Sequence, residues 1–211
     1  MDSILNPNPS PDPLDPTPLI VAEYNYIAQS AFQANEDRAR VSQFFFVTVG
    51  TLVAALVTAQ IETADAAQLY RAFSLIFILL AAFGALTLYH LARLRLAWRE
   101  CALAMNQIKD QAIKRSPDLA AYYRWNSGTV PPSFKARSVG FLLAVMVSLL
   151  SGLALGAATA FLGLAARPGA LNWPLSISLG LLGAGILLLA FYYLPLREKL
   201  TGSPERESGP G

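Results

Sequence analysis

Few residues in this sequence have the type and spacing of a chemical site. Three neighbouring arginines, Arg93, Arg95 and Arg99, could together bind an anionic lipid. The single histidine, His90, has no partner at metal-ligand spacing, and the single cysteine, Cys101, excludes an internal disulfide and a Cys-based zinc site. The sequence also contains no Gly-rich phosphate loop, Ser-His-Asp set or HExxH motif. We therefore expect no catalytic residue, no cofactor and no metal site.

The composition places these residues on the elements of a membrane protein. Charged residues make up 14% of the chain, against about 25% in typical soluble domains. The ranges 41–61, 72–92, 138–166 and 168–196 contain no Asp, Glu, Lys or Arg at all. This segregation excludes a soluble enzyme, a nucleic-acid-binding module and a secreted disulfide-rich scaffold. It also argues against a proton-coupled or ion-coupled transporter, since such proteins use ionisable groups inside the membrane.

Each charge-free range can hold a membrane-spanning helix, which needs about 20 apolar residues. A backbone that crosses hydrocarbon must satisfy its own hydrogen bonds, so each span is expected to be helical. The sequence predicts an all-α, polytopic membrane protein with spans at 44–61, 72–91, 138–165 and 175–194. Its segments are a disordered proline-rich tail (1–18), a helical hairpin (19–115), a short helix and linker (116–137), the last two spans (138–196) and a disordered tail (197–211).

The distribution of Lys and Arg predicts the orientation of these spans. Fourteen of the sixteen Lys and Arg residues fall on one side of the membrane, and only Arg71 and Arg167 fall on the other. Because cytoplasmic loops are enriched in Lys and Arg, we expect a plasma-membrane protein with both termini in the cytoplasm. The same bias explains the three neighbouring arginines without a further function. Tyr192 and Tyr193 are expected at the inner membrane boundary, where amphipathic rings are favoured.

The first two helices are predicted to continue into the cytosol as an antiparallel coiled hairpin. Apolar or small residues recur at spacings of three and four along both, and Arg38 is the one misfit. Glu36 and Asp37 are predicted to form interhelical ion pairs with Arg95 and Arg99. The alternative is an amphipathic helix that lies flat on the membrane. The predicted seam consists of Ile20, Tyr24, Ile27, Ala31, Leu94, Trp98, Cys101, Met105 and Ile108.

The end of the second helix is indicated by a proline. Pro117 disfavours helical conformation at Ser116, so the helix is expected to stop near Arg115. Ser116, Pro117 and Asp118 then have the residue types of a cap, a first helical position and an acidic first turn. They predict a short helix through about Trp125.

The third and fourth spans carry stripes of small residues. Gly152 and Gly156 form a Gly-x-x-x-Gly motif, and Gly180 and Gly183 lie on the fourth span. Small faces let membrane helices approach closely, so we expect these two spans to pack together. Self-association through the same stripe is the alternative.

Several stretches resemble a known group of proteins. The run EYNYIAQSAFQANEDRARV at 23–41, continued at 44–50, is similar to the opening of a family of uncharacterised bacterial four-span membrane proteins. Residues 104–109 and 124–135 are similar too, so the resemblance covers most of 20–150 and implies no assigned activity. The layout also resembles that of SLATT-type membrane effectors, which implies a role in prokaryotic nucleotide-dependent defence through pore formation. The extra pair of spans departs from that layout.

These observations predict a non-enzymatic integral membrane protein in the lipid bilayer. It is expected to form a homo-oligomer or to bind a cytosolic protein partner through the hairpin, and to have no nucleic-acid partner. A SLATT-like pore-forming effector is the specific form of this hypothesis. A small channel or transporter subunit is the alternative.

Overall fold

The part of the chain that the structure describes is helical and contains no strand. The computed structural model describes residues 15–58, 66–167, 169 and 171–201. Its helices are α1 (Thr17–Thr58), α2 (Ala66–Arg115), α3 (Val139–Ala166), α4 (Trp173–Leu187), a π-helical segment (Leu188–Tyr193) and α5 (Leu194–Thr201). Two 3₁₀ turns, Pro117–Ala121 and Ser127–Thr129, lie between α2 and α3. The predicted all-α fold is confirmed for these residues.

Four helical stretches are long and apolar enough to cross a membrane. They are Thr17–Leu56, Ala66–Arg115, Val139–Ala166 and Trp173–Arg197. Each exceeds the roughly 20 residues that a span needs, which confirms the prediction of four apolar helices. Most of the predicted proline-rich tail and of the predicted C-terminal tail lies outside the described residues.

The first helix begins before the boundary that the prolines suggested. α1 starts at Thr17, and the Thr17 amide donates a hydrogen bond of 2.9 Å to Asp15 Oδ1. Pro18 follows in the first turn, where no amide hydrogen is needed by the helix. The predicted boundary at residue 18 thus lies within two residues of the start of α1, where the Asp15 carboxylate and an early proline favour the first helical turn.

α2 is the central helix of the bundle. It contacts α1 and α3, α3 contacts α4, and the π-helical segment returns to contact α2. The largest side chains of the core that are fully buried are Phe45, Leu88, Leu91, Leu196 and Val147. They come from α1, α2, α3 and α5, so one core joins the helices at the end where α1 enters its apolar segment.

α3 and α4 approach each other at their glycines. A Cβ on Gly152 would lie 2.5 Å from the carbonyl oxygen of Gly180, and a Cβ on Gly156 would lie 2.8 Å from that of Ser176. A Cβ on Gly183 would lie 2.6 Å from Leu155 Cδ1. All four glycines that the sequence suggested for packing therefore lie at this contact.

The segment between α2 and α3 is tied back onto α2. α2 ends at Arg115, as the proline predicted. Asn106 Nδ2 donates a hydrogen bond of 3.0 Å to the carbonyl oxygen of Asn126, and the Ser127 hydroxyl donates to Asp110. Because the chain turns toward α2 at these bonds, the helix predicted through Trp125 is replaced by the 3₁₀ turn at 117–121.

The last apolar stretch changes its helical pitch before a proline. Pro195 has no amide hydrogen for the carbonyl of Phe191, and its ring crowds that carbonyl. The chain is π-helical over Leu188–Tyr193, immediately before this proline. Tyr192 lies in this segment and is buried, with 3% of its surface exposed. Such π-helical turns are frequent at functional sites.

Candidate functional site

α1 and α2 continue side by side beyond their most apolar parts, over residues 17–43 and 92–115, which we call the hairpin extension. Ile27, Ala31 and Ala34 are buried there. Lys109 Nζ lies 5.9 Å from the ring centre of Tyr24. Further along, the rings of Phe45 and Phe83 are 5.6 Å apart. Since residue numbers rise along α1 as they fall along α2, the two helices are antiparallel.

The predicted seam residues differ in burial. Ile27 and Ala31 are buried, whereas Ile20 is 39% exposed. Asn106 is also buried in the hairpin extension, and apolar periodicity missed it because its side chain is polar. The other predicted members are half-buried: Tyr24, Leu94, Trp98, Cys101, Met105 and Ile108.

A substitution at Ile27 tests whether this seam holds α1 in place. Ile27→Asp is expected to lower the free energy of unfolding by about 3 kcal/mol, because it buries a carboxylate without a partner. Gln29→Asp adds the same charge at an exposed position and is expected to change stability by less than about 0.5 kcal/mol. Thermal unfolding in detergent and hydrogen exchange of amides 19–33 measure both. Equal effects of the two variants would contradict a packed seam.

The predicted ion pairs between the two helices do not form among the described residues. Asp37 instead lies 3.6 Å from Arg40 on its own helix, and Glu36 is exposed. Arg95 directs Nε and Nη2 at the carbonyl oxygens of Ser133 and Pro132, each at 3.3 Å. The prediction fails because α2 turns Arg95 toward the loop that precedes α3.

Arg38, the misfit of the apolar pattern, lies beside Arg95. A Cβ on Gly140 would lie 3.2 Å from Arg38 Nη1 and 3.6 Å from Tyr192 Oη, so both side chains lie over this glycine. The charges of Arg38 and Arg99 both act on Arg95. We call Arg38, Arg95 and Arg99 the arginine cluster. It draws residues from α1 and α2 and is bordered by α3 and the π-helical segment.

The surroundings of the arginine cluster disfavour its positive charge. Burial lowers the pKa of Arg38. Burial, and then the charges of Arg38 and Arg99, lower the pKa of Arg95. Both groups lie outside the predicted spans at 44–61 and 72–91. A guanidinium keeps its proton in proteins, so these lowered pKa values mean that the charge stays and is poorly compensated.

Unpaired polar atoms collect at the same place. Among the described residues, the buried side-chain polar atoms without a hydrogen-bond partner are Arg38 Nε, Arg99 Nε and Ser133 Oγ. Arg38 Nη2 donates to Asn35 Oδ1 at 2.5 Å, and the Arg95 guanidinium lies 4.7 Å from the Trp98 ring centre. Buried polar groups are nearly always paired in folded proteins. The arginine cluster therefore has donors and charge to offer to an anion.

No protein-family model, curated protein or solved structure matches this chain. Its function is therefore inferred from the hairpin extension and the arginine cluster alone. The resemblance to four-span bacterial membrane proteins stays a prediction.

The crevices of the described part of the chain are mainly apolar. One of about 430 Å³ lies between α1 and α2 and is lined by Phe44, Phe83 and Leu86, with His90 at its edge. Another of about 250 Å³ lies between α2 and the following loop, against Trp98. The described residues contain no group of three His, Cys, Asp or Glu side chains that could hold a metal ion. Crevices of this kind offer mainly apolar contact surface with few polar groups.

Proposed function

We propose that this chain is a non-enzymatic, multi-pass plasma-membrane protein that associates with a second copy of itself through its cytoplasmic hairpin extension. The observation that carries the proposal is the set of exposed apolar side chains of α1 that precede the first predicted span at 44–61. Tyr26 is 69% exposed and Phe32 is 64% exposed, and Leu19 and Val21 are exposed as well. These four large apolar side chains fall within residues 19–32, and exposed apolar surface in water favours association.

The cytoplasmic location rests on the distribution of Lys and Arg. Fourteen of sixteen lie on the side of the hairpin extension once the four apolar helices cross the bilayer. That bias favours cytoplasmic termini. We infer that the exposed residues of α1, which precede the first predicted span at 44–61, lie in water. In water, burial of these side chains against a protein partner lowers the free energy most, because burial of apolar surface is favourable only relative to water.

A second copy of the chain is favoured as the partner because the two helices of the hairpin extension differ in charge. Residues 17–43 of α1 hold three acidic and two basic side chains, whereas residues 92–115 of α2 hold two acidic and six basic ones. Glu23 and Glu36 on α1 are exposed, as are Arg93, Lys114 and Arg115 on α2. The α1 of one copy therefore complements the α2 of another, and such complementarity fixes orientation.

Phe32→Glu is expected to disrupt this association. It places a charge in the proposed contact and is expected to weaken self-association by about tenfold or more, as loss of a central aromatic residue does. Gln33→Glu adds the same charge next to it, at an exposed polar position, and is expected to leave association unchanged. Molar mass by light scattering of the purified protein in detergent, together with cross-linking in membranes, measures the change.

The wild-type mass decides among the alternatives. A wild-type protein that stays monomeric in both experiments would contradict self-association, and a co-purifying second protein would assign the hairpin extension to a different partner. In the pore-forming version, the wild type releases a dye from liposomes and Phe32→Glu does not. Leakage that is unaffected by Phe32→Glu would instead favour the channel alternative.

A further inference from the structure

We propose that the arginine cluster binds a phosphate group. The site is separate from the exposed face of α1 and does not depend on self-association. Its donors come from Arg38 on α1 and from Arg95 and Arg99 on α2, and its walls include Gly140 and Ser133. The ligand class follows from the hydrogen-bond donors, the charge and the place of the site in the bundle.

The unused donors match an acceptor with several oxygens. Arg38 Nε, Arg99 Nε and Ser133 Oγ are buried and unpaired, and all lie on residues that surround or form the arginine cluster. Inorganic phosphate and phosphomonoesters present three or more free acceptor oxygens, and a phosphodiester headgroup presents two free oxygens beside its ester oxygens. Arginine binds all of these through charge-assisted, often bidentate hydrogen bonds. Basic pockets between membrane helices bind the phosphate-containing headgroups of lipids in this way.

The charge balance also calls for an anion. None of the three arginines forms an ion pair with a carboxylate of the described residues; the one ion pair shown nearby joins Asp37 to Arg40. Arg38 also lies against Gly140 in the first turn of α3. The amino-terminal end of a helix carries partial positive charge, which repels a guanidinium and attracts an anion. An anion held there would relieve the repulsion among the arginines and the repulsion between Arg38 and the amino-terminal end of α3.

Glycine at position 140 lets the Arg38 side chain lie close to the backbone of α3. A Cβ there would come within 3.2 Å of Arg38 Nη1. The Arg95 guanidinium is held by the carbonyl oxygens of Pro132 and Ser133, so it is fixed before any ligand arrives. Fixed donors lower the entropy cost of binding. Two of the three arginines are thus positioned before a ligand binds, Arg95 by the two carbonyl oxygens and Arg38 by Asn35 Oδ1.

The phosphate could belong to a lipid headgroup or to a soluble phosphate compound. The arginine cluster lies next to the ends of the apolar segments, with Leu91 four residues before Arg95 on α2 and Phe44 six residues after Arg38 on α1. Headgroups lie at this depth if those helices cross the bilayer. The two sources share the same chemistry and are separated by experiment.

The test uses the full chain purified in a non-ionic detergent. One arm measures the thermal unfolding temperature with inorganic phosphate, compared with sodium chloride at equal ionic strength, since salt alone screens repulsion among arginines. The other arm counts bound phosphatidylglycerol and phosphatidylcholine by native mass spectrometry. The wild type is expected to gain stability from phosphate beyond the chloride control, or to retain phosphatidylglycerol in preference to phosphatidylcholine.

Two variants and one matched control assign the response to the arginine cluster. Arg38→Gln and Arg99→Gln are each expected to weaken binding by about tenfold or more, because each removes charge-assisted hydrogen bonds. Arg93→Gln removes the same charge from an exposed position on α2 and is expected to change binding by less than about twofold. Without ligand, Arg38→Gln is not expected to lower the unfolding temperature, because it removes repulsion.

The possible results distinguish a lipid phosphate from a soluble one and show whether the arginine cluster binds phosphate at all. A response to phosphatidylglycerol alone assigns the phosphate to a lipid headgroup, and a response to inorganic phosphate extends it to soluble compounds; both support the proposal. It is overturned if neither arm responds beyond its control, or if Arg93→Gln loses as much as the cluster variants. It is also overturned if Arg38→Gln is less stable without ligand yet keeps the full response, since Arg38 would then be a packing residue.

Discussion

Gly152→Ala and Gly180→Ala are each expected to destabilise the protein by about 2 kcal/mol, the range in which overpacking costs fall. A Cβ on Gly152 would lie 2.5 Å from the carbonyl oxygen of Gly180, and a Cβ on Gly180 would lie 2.8 Å from that of Gly152. Both obstacles are backbone atoms, which cannot rotate away. The helices must separate instead, and the neighbouring bond from Ser148 Oγ to the Ala184 carbonyl would lengthen with them.

Loss of close packing between α3 and α4 is costly because lipid is as apolar as the helices, so no hydrophobic force compensates for it. Without a hydrophobic force between them, membrane helices associate through close packing and interhelical hydrogen bonds. Titration with sodium dodecyl sulfate in mixed micelles measures the free energy of unfolding.

Two other glycines of the same helices serve as controls. A Cβ on Gly163 of α3 or on Gly185 of α4 would meet nothing within 4 Å. Alanine is favoured over glycine in a helix by about 1 kcal/mol, so Gly163→Ala and Gly185→Ala are expected to leave stability unchanged or slightly raised. A similar loss in all four variants would contradict the packing argument.

The features that depend on local sequence were predictable. The four apolar helices follow from charge-free ranges of sufficient length, because lipid tolerates neither charge nor unpaired backbone. The end of α2 at Arg115 follows from Pro117, whose ring restricts the preceding residue. The glycines of α3 and α4 were placed together because small residues are what a close helix contact requires.

The arginine cluster was predictable only in part, because its membership depends on how the helices are rotated. The sequence indicated Arg95 and Arg99 as part of a basic group that could bind an anionic lipid, but in the structure Arg93 is exposed and Arg38 of α1 is the third member. Counting residues outward from the membrane places Asp37 level with Arg95, but it does not say which faces meet. In the structure Asp37 pairs with Arg40, and Arg38 is the α1 residue whose charge acts on Arg95. The available signal was the misfit itself, a charged residue at an apolar position of the seam.

Tyr192 illustrates a second limit on predicting side-chain positions from the sequence. Its place near the end of the fourth apolar segment predicts a ring at the lipid boundary, yet it is buried among the helices. The π-helical segment before Pro195 alters the positions of side chains that an α-helical pattern would assign. The proline was visible in the sequence, but the size and direction of its effect were set by packing against α2 and α3.

Phe45→Ala is expected to lower the free energy of unfolding by about 3 kcal/mol. Phe45 is fully buried at the place where α1 joins the common core, and its ring lies 5.6 Å from that of Phe83. Truncation leaves a cavity that lipid cannot fill, because no part of the side chain reaches the surface. α1 contacts mainly α2, so it is expected to detach first, with faster hydrogen exchange along α1 than along α3.

The neighbouring residue supplies a matched control. Phe44 is 64% exposed and touches Phe83 only edge-on, with ring centres 5.8 Å apart. In a bilayer its outer face meets lipid, which replaces the lost ring, so Phe44→Ala is expected to cost less than about 1 kcal/mol. If Phe44→Ala cost as much as Phe45→Ala, the rotation of α1 about its axis would be wrong. The arginine cluster would then lose its basis, because the rotation that buries Phe45 also directs Arg38, two turns earlier, toward α2.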